Sequence, residues 1–78
     1  MFGLDRISSD PDILGGKACI RGMRISVALV VNLVANGMST AQIIEEYPDL
    51  EAEDVRQALS YAAWTVADDI YAPLGVAA

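Results

Sequence analysis

Seventy-eight residues, 54% of them hydrophobic, with a net charge of −6, describe one small acidic domain with room for only a modest core. There are no histidines and Cys19 is the lone cysteine, so the chain offers neither a disulfide nor a zinc-ligand set. A domain of this size without such staples is expected to draw stability from a second subunit or a partner, and the high hydrophobic content points the same way.

Residues 4–26 read as short strands and turns. Leu4-Asp5-Arg6-Ile7 is expected to be extended, and Ser9-Asp10-Pro11-Asp12 to form a turn. Gly15-Gly16 marks backbone that needs positive φ. Ala18-Cys19-Ile20 reads as a strand, Arg21-Gly22 as a turn and Arg24-Ile25 as the returning piece. The result is a small β-arm held down by Ile7, Ile20 and Ile25, too short to stand without helices beneath it.

Ser26 then caps a helix over residues 27–36, closed by Gly37. Val27, Val30, Val31 and Val34 sit at helical spacing with Leu29 and Leu33 alongside, so this helix is apolar nearly all round and must be covered on most sides. Ser39 and Gln42 form a capping box for a second, short helix carrying Ile43 and Ile44, which Pro48 ends. Asp49-Leu50-Glu51 makes a corner with Leu50 as its plug. A third helix starts near Ala52, with acids in its first turn where the helix dipole favours them. Residues 39–64 therefore have the outline of a helix-turn-helix unit.

On the third helix, Val55, Leu59, Ala62, Val66 and Ile70 form the expected core stripe, and Tyr61, Trp64 and Tyr71 fall on nearly the opposite side. Three aromatics left in water would forfeit a few kcal/mol each at about 25 cal/mol per Å². Either the chain folds back so that Ala72-Pro73-Leu74 covers them, or they meet a copy of the chain or a partner. The chain divides into a β-arm (1–26), a helical core (27–71) and a C-terminal tail (72–78) of one domain.

No catalytic constellation is present. Gly15-Gly16-Lys17 lacks the spacing of a phosphate loop, Cys19 has no histidine to activate it, and the carboxylates of residues 45–54 are explained by capping and solvation. No enzyme activity, cofactor or metal is expected. No apolar run is long enough to span a membrane, the first ten residues lack a signal-peptide core, and a lone thiol fits a reducing compartment, so a cytoplasmic location is expected.

Charge bears on nucleic acid. Residues 1–39 carry four cations against three acids, and residues 40–78 carry Arg56 against eight acids. The helix-turn-helix half is thus the acidic half, with Arg56 and Gln57 as its only usable readers. The bases that could meet phosphates are Lys17, Arg21 and Arg24 on the arm.

Taken together, Asp5-Arg6-Ile7, Asp10-Pro11, the run Gly-Gly-Lys-Ala-Cys-Ile-Arg-Gly-Met-Arg-Ile at 15–25, Gly37-Met38-Ser39, Tyr47-Pro48-Asp49-Leu50 and Ala58-Leu59-Ser60-Tyr61-Ala62 resemble a prokaryotic family, domain of unknown function 433. The resemblance implies a mainly α fold, a three-helix homeodomain-like core with a short N-terminal β-arm, and a homodimer. It further implies a VapB-like antitoxin that silences a PIN-like ribonuclease toxin. Ala18 and Met23 replace the proline and threonine common in the motif, and Glu51 stands where a threonine cap is usual. On this reading Trp64, Asp68, Ile70, Tyr71 and Leu74 are the expected partner contacts. A DNA-binding regulator using Lys17, Arg21, Arg24, Arg56 and Gln57, or a plain oligomerisation module, are the rival expectations.

Overall fold

The protein, in a computed structural model, is described over residues 3–67. Strands β1 (Ile7–Ser8) and β2 (Cys19–Ile20) precede helices α1 (Val27–Ala35), α2 (Thr40–Glu46) and α3 (Ala52–Thr65). The two strands are antiparallel, with Ile7 opposite Ile20 and Ser8 opposite Cys19. The arm begins later than expected: residues 4–7 form a turn in which the Ile7 N–H donates to the Leu4 carbonyl at 3.3 Å, so only Ile7 and Ser8 are extended.

The turn after β2 follows the expected outline. Met23 N–H donates to the Ile20 carbonyl at 2.8 Å across Arg21 and Gly22, whose φ values of 46° and 72° are both positive, as a type I′ turn requires. The chain then returns, so that the Ile25 carbonyl accepts from the Ile20 N–H at 2.9 Å. Glycine supplies the left-handed backbone cheaply at position 22. Arg21 does not, and something must hold it there.

Local signals set the helix ends. Ser26 Oγ accepts from the Leu29 N–H at 3.0 Å and starts α1. Gly37 N–H donates to the Val34 carbonyl at 2.9 Å and Met38 N–H to the Leu33 carbonyl at 3.1 Å, the paired bonds of a Schellman closure. The Ser39 and Gln42 capping box is complete, with Gln42 N–H donating to Ser39 Oγ at 3.1 Å and Ser39 N–H to Gln42 Oε1 at 2.8 Å. Tyr47 ends α2 one residue before Pro48, and Leu50 plugs the corner at 2% exposure.

Ile20, Val27, Val30, Ile43, Leu50, Val55 and Ala58 form the buried core, with Ile7 and Ile25 packed against it. The face of α3 that joins this core is not the expected one. Val55 is buried, but Leu59 is 37% exposed and Val66 42% exposed, while Asp54, Gln57 and Ala58 are buried. At about 100° per residue, the buried face is turned by about 90° from the apolar stripe, toward the two polar residues. Tyr61 moves with it: it packs against the core, leaving Trp64 outside. The polar residues lie inside because the β-arm meets them there.

Candidate functional site

The polar centre of the molecule is the Asp54 carboxylate, fully buried at the start of α3. Its Oδ2 accepts from the Glu51 N–H at 2.8 Å, the backward half of a capping box. Arg21 grips it with both arms of the guanidinium, Nε to Oδ1 at 3.0 Å and Nη2 to Oδ2 at 2.8 Å, and Arg6 Nη1 donates to Oδ1 at 3.1 Å. Arg21 Nη2 also donates to the Asp49 carbonyl at 2.7 Å. This fork, joining the β2 turn to the α2–α3 corner, holds Arg21 in its left-handed conformation.

Burial opposes ionisation of Asp54, but the hydrogen bonds from Arg21, the Glu51 amide and Arg6 outweigh it and hold the carboxyl below the usual range. Beside it, Glu53 accepts from Arg56 at 2.8 and 2.6 Å and from Gln57 at 3.0 Å. Hydrogen bonds from Arg56 and then Gln57 lower its pKa from 4.5 to about 2. Both groups are more acidic folded than unfolded, so each stabilises the fold at neutral pH and loses that contribution on protonation. Stability is expected to fall as pH drops from 4.5 toward about 2, and Glu53→Gln to flatten the slope, read by circular dichroism at graded pH. An unchanged unfolding midpoint across that window would contradict the assignment.

Gln57 is a strut of the fold. It is 2% exposed, accepts from the Arg6 N–H at 2.9 Å and donates to Asp5 at 2.8 Å, tying the arm to α3. Its expected role as a base reader is therefore corrected. Of the other candidate phosphate contacts, Arg21 is engaged with Asp54 and Arg56 with Glu53, while Lys17 and Arg24 are exposed and pair with no described residue. The structure does not bring these five residues to one surface patch. The signal that would have found the buried node was available: Asp54 stands three residues after the N-cap Glu51, where a carboxylate reaches back to the cap.

Of the expected partner contacts, Trp64 is 59% exposed, its ring centroid 6.0 Å from that of Tyr61. Val66, also exposed at 42%, is two residues on and lies toward the other side of the helix. Asp68, Ile70, Tyr71 and Leu74 lie outside the described residues. An open groove of about 620 Å³ separates α1 from the second half of α3. Val27, Val31 and Ala35 line one side of it and Tyr61, Ala62 and Thr65 the other, with Lys17 at its edge. Cys19 is a buried thiol. Among the described residues no group of His, Cys, Asp or Glu side chains is placed to hold a metal, and no helix is long and apolar enough to cross a membrane.

The arm, the corner and the helices that bear these contacts are also what the chain shares with known proteins. The family model described as "Protein of unknown function (DUF433)" matches residues 7–62. The chain belongs to the DUF433 family. The match runs from β1 into the second half of α3, so it takes in Arg21, Asp54 and Gln57 and ends just short of Trp64. The DUF433 chain is 45% identical over 56 residues to the uncharacterized protein y4eO of Sinorhizobium fredii (strain NBRC 101917 / NGR234). That alignment covers 72% of the chain and 25% of the relative, so the chain spans about a quarter of that protein's length. The crystal structure of a DUF433 member from Anabaena variabilis ATCC 29413 superposes with a TM-score of 0.71 at 30% identity, covering 90% of this chain and 68% of that one.

Proposed function

We propose that this DUF433 protein is a non-catalytic, antitoxin-like binding protein of the cytoplasm that forms a homodimer and captures a PIN-like ribonuclease. The observation that supports it most directly is the exposed indole of Trp64, at 59%, near the end of α3 and paired with the ring of Tyr61. Tryptophan is among the side chains that most often anchor protein interfaces. The sequence that follows carries Asp68, Ile70, Tyr71 and Leu74, the remaining expected contacts. Capture works by occlusion, the apolar end of the chain covering the nuclease cleft. The chain has no lysine or arginine after Arg56, so it brings no cation to that cleft.

A DNA-reading role has less to draw on, because Gln57 is buried and Arg21 and Arg56 are held by carboxylates. Phosphate affinity would rest on Lys17 and Arg24, set against a strongly acidic remainder.

Co-expression of the chain with a PIN-like nuclease encoded beside it tests the proposal. The two are expected to co-purify, and Trp64→Ala or Tyr71→Ala to weaken the complex by about 30-fold each, the effect of losing an interface anchor. Failure to co-purify, or an affinity unmoved by both substitutions, would count against it.

A further inference from the structure

Helix α3 carries a knob and one wall of a hole. The hole is the groove of about 620 Å³ between α1 and α3, where Ala28 and Ala35 on one side and Ala62 on the other leave space that larger side chains would fill. The knob is Trp64, 59% exposed. Trp64 does not line the groove, but its ring centroid stands 6.0 Å from that of Tyr61, which does. Knob and hole are therefore one side chain apart on the same helix. Such a pair closes on itself: a second copy turned about a two-fold axis between them brings each knob to the other's hole, and both contacts form together.

We infer that the homodimer closes on this face, with the indole of Trp64 of each copy seated between α1 and α3 of the other. The inference rests on the homodimer reading above and names its face. The groove walls offer Val27, Val31 and Tyr61 to the indole, an apolar match. Charge points to the same place. Lys17 is the one charged residue lining the groove and pairs with no described residue, so its ammonium is placed to lie over an incoming indole face. Two copies of a chain with net charge −6 repel each other, and they meet with least repulsion where no carboxylate lines the contact. Area sets the strength. Two indoles and the walls they cover account for about 600–1,000 Å², the size of a weak interface, so the dimer is expected to come apart on dilution. Because one indole cannot occupy two sites, a captured nuclease displaces the second copy.

Sedimentation and indole emission, read on one dilution series of the full chain, test the inference. Trp64 is the only tryptophan, so the emission reads the surroundings of this one side chain. It is expected to shift to the blue as the dimer forms. Trp64→Ala and Ala28→Glu both alter exposed positions, and a carboxylate at 28 suits the first turn of α1. Each is expected to weaken self-association by at least about 30-fold while leaving the thermal midpoint of the single chain in place. The two variants mixed should associate more tightly than either alone, because one intact indole then meets one intact groove. A dimer whose indole emits as it does in water, that survives either substitution, or whose mixed variants gain nothing, would overturn the inference and leave the homodimer to another face. A chain that stays single up to about 1 mM would remove the homodimer and the inference together, and leave nuclease capture standing.

Discussion

Asp54→Ala is expected to cost the protein about 3–5 kcal/mol, a large share of its folding stability. The carboxylate is fully buried and binds Arg21 by two hydrogen bonds, Arg6 by a third and the Glu51 amide by a fourth. Removing one partner of a buried ionic cluster costs about 3–5 kcal/mol, because the remaining charges stay desolvated without compensation. A 78-residue domain has only about 4–12 kcal/mol of stability at about 0.05–0.15 kcal/mol per residue. The loss also frees Arg21 from the grip that keeps it at φ 46°, so the β2 turn should open with the corner. Asp54→Asn keeps the shape and an acceptor oxygen but loses the charge, and should fall between the two. Urea titration of the three proteins measures the order; a wild-type midpoint for Asp54→Ala would show the node to be dispensable.

Ile43→Ala is expected to destabilise by about 2–5 kcal/mol, and Leu59→Ala by less than about 0.5 kcal/mol. Ile43 is fully buried where α2 meets the core, so its truncation leaves a cavity that its neighbours fill incompletely. Leu59 is 37% exposed and sits beside the core. For a domain of this length each kcal/mol shifts the midpoint by about 4–8 °C, so thermal melts should separate the two by about 6 °C or more. The apolar pattern of α3 alone, which lists Leu59 among its core positions, requires comparable losses. Equal melting shifts would restore that stripe and sink the packing described above.

The surface at the end of α3 was partly legible in advance. Trp64 is exposed as its position on the helix implies, because little of the described chain lies against that side. Tyr61, taken from spacing to share that side, packs on the core because the whole helix is turned toward the arm. The five candidate nucleic-acid contacts were selected by charge and polarity, and those properties do not distinguish a free cation from one already bound. Arg21 reaches Asp54 across 33 residues of sequence and Gln57 reaches Asp5 across 52, distances at which no local pattern applies.

The amino-acid sequence by itself determined where the three helices start, the caps at Ser26 and Ser39, the stops at Gly37 and Pro48 and the left-handed glycine at position 22. Each of these is fixed by a residue and its neighbours within one turn of chain, through a hydroxyl, a missing N–H or a positive φ. Only the tertiary structure decided which side of α3 faces inward. Polarity argues for leaving Asp54 and Gln57 in water, and that argument fails once Arg6, Arg21 and Asp5 arrive from the other end of the chain to satisfy them. Burial of a polar group depends on its partner, and here the partner is brought by the fold.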